Sequence, residues 1–189
     1  MALARLAPQQ SNPPLPFFIE NNMDDNRQND YASRLKEFKA KFPNYKEAEP
    51  VECLNLIMRK EFAEQILDGK KKLEFRGYTD HYISRLYDND VLKFMQLHKN
   101  EPEVLAMCEP LRMVEKIHFH NYNDTWHLDV ECTMNEVVGV TDADVEFLHS
   151  EYDCHELDDV LQQQNAINSE QRPMYFYFVI GKVIDTNLK

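Results

Sequence analysis

The stretch over residues 59–76, RKEFAEQILDGKKKLEFR, constrains the fold more than any other part of the chain, because its hydrophobic period changes once within it. Its first half, EFAEQIL, repeats apolar residues at helical spacing, which predicts an amphipathic helix. Gly69 follows where a residue in the left-handed conformation commonly ends a helix. Beyond it, apolar Leu73 and Phe75 alternate with charged residues, which is the period of a half-buried strand. The sequence therefore predicts a helix, a glycine stop and a strand in immediate succession.

The predicted strand displays charged side chains on the face opposite its apolar residues. Glu74 and Arg76 share that face, and the lysines at 70–72 lie at the carbonyl end of the helix, where positive charge is favourable. Arg76 offers a planar fork to a phosphate or a base edge, and Lys71 adds a mobile charge. Glu74 either orients Arg76 or accepts a hydrogen bond from an exocyclic amine. From the residue pattern alone, Lys71, Glu74 and Arg76 are candidates for a ligand site. The alternative is a structural ion pair that pins the strand to the helix end.

Aromatic side chains follow this strand directly. Tyr78 is the first of them, and His81 and Tyr82 come shortly after it. Aromatic side chains stack on unpaired nucleotides, so Tyr78 is a further candidate ligand-binding residue. The alternative is ordinary packing under a loop.

The net charge of −12 opposes generic nucleic-acid binding, because affinity for phosphates comes mainly from clustered lysines and arginines. The charge is unevenly spread. Residues 59–76 contain six basic and four acidic side chains, whereas residues 141–160 contain eight acidic and no basic ones. A basic site on an acidic surface still binds an anion, with little long-range steering. The charge pattern therefore favours a small ligand or a short single strand over a long duplex.

Several features indicate a soluble, cytoplasmic protein without a membrane partner. No apolar run approaches the length of a membrane span, and the N-terminus lacks the basic and apolar segments of a secretory signal. The four cysteines are widely spaced and form no C-x-x-C pair, which predicts reduced thiols. Nothing in the sequence defines the oligomeric state.

The composition of the chain changes near residue 50. Residues 1–28 are rich in Pro, Asn and Gln and have no convincing period, and a short helix is predicted at about 30–42. Prolines then bracket a linker. We assign residues 1–50 to an N-terminal extension and residues 51–189 to a single domain.

The domain is predicted to contain six or so strands and few helices, without strand-helix-strand repetition. That pattern indicates an α+β or mainly β fold, a mainly antiparallel and partly closed β-barrel with flanking helices. Two of the predicted strands lie at 91–97, VLKFMQL, and across 104–120 with an interruption at Pro110. The other predicted elements are a strand in VECLNLIM, a helical turn at 81–87, a returning strand at 126–138, helices over 141–150 and 156–164, and a last strand after Pro173.

The sequence predicts neither a metal nor another cofactor. His118, His120 and His127 fall near one predicted hairpin, but no cysteine or carboxylate is spaced to complete a zinc site. Cys154 and His155 lie in the acidic run, whose simplest interpretation is a pair of solvated helix faces. The chain has four glycines and no glycine-rich phosphate loop, so loop-cradled nucleotide cofactors are not expected.

Gly69, Lys71, Glu74 and Arg76 spell G-x-K-x-x-E-x-R after a strand and an E-F-A-x-x-I-L helix, and the last strand ends in V-I-D-T-N-L. In this pattern residues 51–189 resemble the ASCH domain, a relative of the PUA RNA-binding barrel. The resemblance implies a PUA-like β-barrel with a cleft lined by the motif, and a role in RNA binding or RNA processing.

One branch of that superfamily hydrolyses the acetyl amide of N4-acetylcytidine, with a lysine and a threonine of this motif and a glutamate further on. By this resemblance Lys71 matches the lysine, and Glu74 stands in the threonine position. A carboxylate does not replace a hydroxyl nucleophile without a change of mechanism.

Three functions follow as hypotheses. The first is binding of RNA or a modified nucleoside in a cleft lined by Lys71, Glu74, Arg76 and Tyr78. The second is a small hydrolase, an N4-acetylcytidine amidohydrolase or a ribonuclease, that uses Lys71 and Glu74 in catalysis. The third is a protein-interaction module that uses the N-terminal segment. A buried, convergent Lys71–Glu74 pair in a closed pocket favours the enzyme, and an open groove with exposed aromatics favours single-strand binding.

Overall fold

The computed structural model describes residues 25–167 and 172–188. Within these ranges the chain forms seven helices and five strands. In chain order they are α1 (Asp25–Lys41), β1 (Leu54–Ile57), α2 (Lys60–Leu67), β2 (Leu73–Gly77), α3 (Asp80–Leu86), α4 (Asn89–Leu97), α5 (Pro102–Leu105), β3 (Lys116–His120), β4 (His127–Gly139), α6 (Asp142–Tyr152), α7 (Asp158–Ala166) and β5 (Met174–Thr186).

The chain divides into two compact units. Of the described residues, the first unit contains 25–47 and 90–108, and the second contains 48–89, 109–167 and 172–188. The predicted extension over 1–50 falls partly outside the described residues, and its division from 51–189 stays a prediction.

The first unit is helical and is held together by aromatic contacts. The ring of Phe38 on α1 lies with its centroid 4.9 Å from that of Phe42 and 5.0 Å from that of Tyr45. Phe94 on α4 meets Tyr45 edge-on at 5.1 Å between centroids. Such tilted and edge-on pairs are the favoured aromatic geometries.

The second unit is built on one mixed sheet with the strand order β1-β3-β4-β5-β2. The β1–β3 pair is parallel, and the other three pairs are antiparallel. The two edge strands lie close together at one point, where Arg76 Nη2 on β2 donates a hydrogen bond of 3.0 Å to the carbonyl oxygen of Ile57 on β1. The sheet is therefore curled into a half-barrel with flanking helices, a mixed α+β fold, with five strands where six or so were predicted.

Each face of the sheet carries its own apolar core. Phe119, Leu128, Phe176 and Phe178 are completely buried in the first cluster, which also takes in residues of α2. The second cluster packs the opposite face against α6 and α7. Its buried members are Leu73, Val138, Val140, Val145, Leu148, Leu157 and Tyr177.

One predicted strand is wrong, and a second is correct only in its last part. Residues 91–97 lie in helix α4, where Val91 is buried and Lys93 forms an ion pair with Asp90 one turn earlier, at 2.9 Å between nitrogen and oxygen. Apolar residues in VLKFMQL also fit a helical stripe, and a short apolar run does not separate the two periods. Residues 104–108 form no strand either, because Pro102 opens the short helix α5, a position that proline favours. The strand β3 begins only at Lys116.

Among the described residues, no helix combines the length and the apolar character that crossing a bilayer requires. The four cysteines, all in the described ranges, are free thiols.

Candidate functional site

A cleft of about 790 Å³ lies in the second unit, and it brings together three of the four predicted ligand residues. Lys71, Glu74 and Arg76 line it. It is also lined by four aromatic residues and two further carboxylates, which are Phe62, Phe75, Tyr122, Trp126, Glu61 and Glu156.

The end of α2 determines where Lys71 lies. Gly69 has a φ of 72°, the left-handed conformation that the sequence predicts. The Gly69 N–H donates to the Ile66 carbonyl at 2.9 Å, and the Lys70 N–H donates to the Gln65 carbonyl at 2.9 Å. These two bonds form a Schellman motif that closes the helix and reverses the chain. Lys70 then pairs with an aspartate outside the cleft, whereas Lys71 turns inward and is 8% exposed.

Strand β2 places Glu74 and Arg76 on one face. Glu74 pairs with Phe178 of β5, and Arg76 pairs with Phe176, so both charged residues share a face with the first apolar cluster. Leu73 is buried in the second cluster on the other face, and Phe75 packs partly against it. The alternation predicted after Gly69 is confirmed.

Four charged side chains form a continuous ion network in the cleft. Glu74 accepts from Arg76 Nη2 at 2.9 Å, and its other oxygen lies 3.5 Å from Lys71 Nζ. Lys71 Nζ also contacts the Glu156 carboxylate, which comes from the connection between α6 and α7. Burial raises the pKa of Glu74, and the neighbouring Arg76 and Lys71 only partly offset that effect. The network therefore holds a carboxyl group that protonates more readily than an ordinary glutamate.

Arg76 has one donor that the network does not satisfy. Its Nη2 serves both Glu74 and the Ile57 carbonyl. Its Nε is buried and has no hydrogen-bond partner. Among the described residues, it is the one buried side-chain nitrogen or oxygen of which this is true. A buried donor without an acceptor costs about 1–3 kcal/mol, so an acceptor that reached this atom would recover up to that amount.

The connection between β3 and β4 supplies the aromatic wall. Asn121 fixes this turn, because its side-chain oxygen accepts from the Thr125 N–H at 2.8 Å. Tyr122 at the turn is 85% exposed, whereas Trp126 is 8% exposed. On the opposite side, the ring of Phe62 lies 5.7 Å from Lys71 Nζ, within cation–π range.

The structure places Tyr78 away from this cleft. Its ring stacks on Phe176 with 5.0 Å between centroids, and its hydroxyl lies 3.4 Å from that of Tyr87. Both contacts belong to the first apolar cluster. This packing matches the alternative that the sequence left open for Tyr78.

Glu156, Tyr122 and Trp126 are cleft residues that sequence reasoning did not identify. Glu156 is one of eight acids between positions 141 and 160, and nothing in that run distinguishes it. Tyr122 and Trp126 flank a turn cluster, and only the register of β3 against β4 brings that turn to the motif. The one available signal is that Trp126 is the single tryptophan of the chain.

Comparison with known proteins adds little to this geometry. No family model matches the sequence, and no curated protein matches it. Among solved structures, the chain is similar to the crystal structure of a mutant ZmASCH protein from Zymomonas mobilis. That similarity has 14% sequence identity and a TM-score of 0.38, and it covers 73% of this chain and 75% of that chain. At this identity and TM-score, the likeness assigns neither a family nor an activity to the chain.

Proposed function

We propose that the cleft binds an unpaired base, either of a modified nucleoside or of a short single strand of RNA, on an ASCH-like, PUA-like half-barrel. The observation that carries this proposal is the buried Arg76 Nε without an acceptor, in a cleft that also presents aromatic rings. A base carbonyl or ring nitrogen supplies the missing acceptor. The G-x-K-x-x-E-x-R motif, by its resemblance to the ASCH domain, points to the same class of ligand.

Two kinds of contact contribute to recognition of the base: stacking on its face and hydrogen bonding to its edge. Tyr122 is exposed enough to cover one face of a base, and Trp126 forms part of the same wall. Glu74, with its raised pKa, either accepts from an exocyclic amine or donates when protonated. Arg76 provides the orienting donor, and Lys71 holds Glu74 and Glu156 in place.

The single tryptophan gives a direct assay of this proposal. Trp126 lines the cleft, so a base stacked there quenches its fluorescence without any added label. We expect quenching by cytidine, N4-acetylcytidine or a short RNA oligomer in a saturable manner. Tyr122→Ala should weaken that binding by about 1–3 kcal/mol, roughly 5- to 150-fold. Tyr31→Ala, an exposed tyrosine on α1 outside the cleft, serves as the matched control and should leave affinity unchanged.

Arg76→Ala tests the hydrogen-bonding half of the proposal. It should weaken binding more than tenfold, about 1.4 kcal/mol, if the contact is charge-assisted. Thermal stability is measured alongside, because Arg76 also holds the network together. If the affinity of each folded molecule stays constant while Tm falls, Arg76 is structural and the ligand site is elsewhere.

A second candidate function, a small hydrolase, is favoured by the Lys71–Glu156 contact. In the resembling enzymatic branch, a lysine acts with a glutamate further along the chain, and here Lys71 contacts such a glutamate in a cleft. The pair Lys71–Glu74 is also buried, at 8% and 6% exposure. The position of the hydroxyl nucleophile, however, is held by Glu74.

Hydrolysis of N4-acetylcytidine distinguishes the two candidates. We expect the native protein to be slow or inactive and Glu74→Thr to gain activity, because that change restores a hydroxyl beside Lys71. Lys71→Ala should abolish the activity gained. Rapid turnover by the native protein that survives Lys71→Ala would contradict both the role of Lys71 and the reasoning about Glu74.

A further inference from the structure

A second cluster of chemically active side chains lies in the connection between α6 and α7. His149 Nε2 is 2.6 Å from one oxygen of Asp158, and His155 Nδ1 is 3.0 Å from the other. The two imidazole rings lie 4.2 Å apart between centroids. The ligand atoms of these three residues all fall within 4.8 Å of one another, and in the described part of the chain no other group of histidines, cysteines and acids does so.

The backbone holds these three residues in place. Asp153 ends α6 in the left-handed conformation with a φ of 54°, which turns the chain back towards α7. Leu148 and Leu157 are 1% and 4% exposed in the second apolar cluster, and each directly precedes one of the clustered residues. His149 and Asp158 are therefore attached to buried anchors, which fixes the distance between them.

The donor set suits a transition-metal ion. Two imidazole nitrogens and one carboxylate oxygen, with water in the remaining position, form a common zinc site. Zinc bonds to such atoms are about 2.0–2.2 Å long, so tetrahedral ligand atoms are about 3.4 Å apart. The two contacts, 2.6 and 3.0 Å long, join the imidazoles to different oxygens of Asp158. With one ligand atom from each residue, all three atoms lie within 4.8 Å of one another, so each separation differs from the tetrahedral value by about 1.4 Å or less. The side chains of His149, His155 and Asp158 are 35%, 60% and 43% exposed, which leaves room for water ligands.

The surroundings also match those of metal-binding histidines. The second nitrogen of His155, Nε2, lies 3.8 Å from an Asp153 oxygen, which is beyond hydrogen-bond length. A short approach would let Asp153 take the place of the carboxylate that orients a metal-bound imidazole and raises its basicity. The run of eight acids over 141–160 adds negative potential that favours a cation.

The histidines on β3 and β4 lack this arrangement. His118, His120 and His127 stack at 5.4 and 5.7 Å between centroids, but each of them has its own carboxylate. His118 contacts Asp129, and His127 contacts Asp185 at 3.1 Å. No carboxylate is shared among them in the contacts that the structure describes, so these rings do not converge on one point.

We propose that His149, His155 and Asp158 bind one divalent transition-metal ion of the zinc class, with solvent completing its coordination. The bound ion ties the end of α6 to the start of α7. Glu156 lies between two of the ligands in the sequence and contacts Lys71 in the cleft, so the ion also fixes the segment that carries Glu156.

Zinc binding to the full chain tests this proposal without any cleft ligand, so its outcome is separate from that of the proposed function. After removal of metal by a chelator, we expect titration calorimetry to show one Zn²⁺ per chain and a rise in Tm on zinc addition. His155→Ala and Asp158→Asn should each weaken binding at least tenfold and remove the zinc-dependent rise in Tm. His127→Ala is the matched control, because it removes a histidine–aspartate contact outside the cluster, and its zinc affinity should equal that of the native protein.

Two further measurements keep the test decisive. His155 is the most exposed of the three, so metal-free His155→Ala should retain the circular dichroism spectrum and the Tm of the native protein. Cobalt substitution should give visible absorption from nitrogen and oxygen ligands without a thiolate charge-transfer band. The proposal is overturned by an absence of zinc binding, by equal losses in His127→Ala, or by a thiolate band that makes the neighbouring Cys154 the ligand.

Discussion

Removing the guanidinium of Arg76 should destabilise the protein far more than the loss of an ordinary surface arginine. Arg76→Ala deletes a 2.9 Å ion pair to Glu74 and the 3.0 Å bond to the Ile57 carbonyl that links the two edge strands. Breaking a buried pair costs about 3–5 kcal/mol, because it leaves a charge uncompensated. Lys71 remains 3.5 Å from Glu74, which keeps the cost near the lower limit of about 3 kcal/mol. For a chain of this size the corresponding fall in Tm is about 6–12 °C.

Urea unfolding and thermal melting of two arginine variants measure this effect. Arg85→Ala is the matched control, because Arg85 also donates to a β1 carbonyl, that of Asn55, but at 3.5 Å and without a buried partner carboxylate. Its loss should cost about 1 kcal/mol or less. The double variant Arg76→Ala, Glu74→Gln should lose less than the sum of the two single changes, by about 1–3 kcal/mol, because no buried charge is left alone. Equal destabilisation by Arg76→Ala and Arg85→Ala, or strict additivity in the double variant, would refute the reasoning.

Three other predictions concern pH, capping and thiol reactivity. The raised pKa of Glu74 means that the folded state binds its proton where the unfolded state has lost it, so the contribution of Glu74 to stability falls as pH rises through that window. The urea midpoint of Glu74→Gln should lack this part of the pH dependence. Identical pH profiles of the urea midpoint in the native protein and in Glu74→Gln would contradict the prediction. Thr141→Ala removes an N-cap bond from the Asp144 N–H, 3.2 Å long, and should cost about 1 kcal/mol and lower Tm by about 2–4 °C in a melting curve. Burial raises the pKa of Cys132 to about 12 and that of Cys108 to about 11, so mass spectrometry should find both far less alkylated near pH ~8 in the folded than in the unfolded protein.

Local signals were sufficient where one short segment determines its own conformation. Gly69 predicts the left-handed residue that ends α2. The alternation after Gly69 predicts correctly which residues lie on each face of β2. Thr141, a residue type that favours the N-cap position of a helix, likewise caps α6 through its side-chain oxygen. In each case the decisive interactions span only a few residues, so the sequence contains them in full.

The sequence was insufficient where two periods fit the same residues. VLKFMQL satisfies both a strand and a helical stripe, and in the structure it forms a helix that buries Val91. For the segment after Pro102, the missed signal is local, because proline is typical of a first helical position. The prediction of a strand across 104–120 gave more weight to the apolar residues there than to this proline.

The candidate site required long-range information that no motif carries. Lys71, Glu74 and Arg76 lie within six positions of one another, and their convergence follows from the helix stop and the strand period. Glu156 reaches the same cleft from 85 positions away in the sequence. Its selection among eight acids depends on how α6 and α7 pack on the sheet, which is a property of the fold.

The balance of charge in the cleft bears on which ligand it selects. Lys71 and Arg76 are matched by Glu74 and Glu156, so the inner network is close to neutral. The remaining charged residues of the lining, Arg59, Lys60 and Glu61, add a net charge of about one cation. Affinity for a phosphate backbone grows with the number of unmatched cations, and a cleft of this kind offers very few of them. In the proposed complex, recognition comes from the face and edge of the base, through Tyr122 and Arg76, and this is compatible with a chain whose overall charge is −12. Binding should accordingly depend only weakly on salt, in contrast to the steep dependence of proteins that track a polyanion.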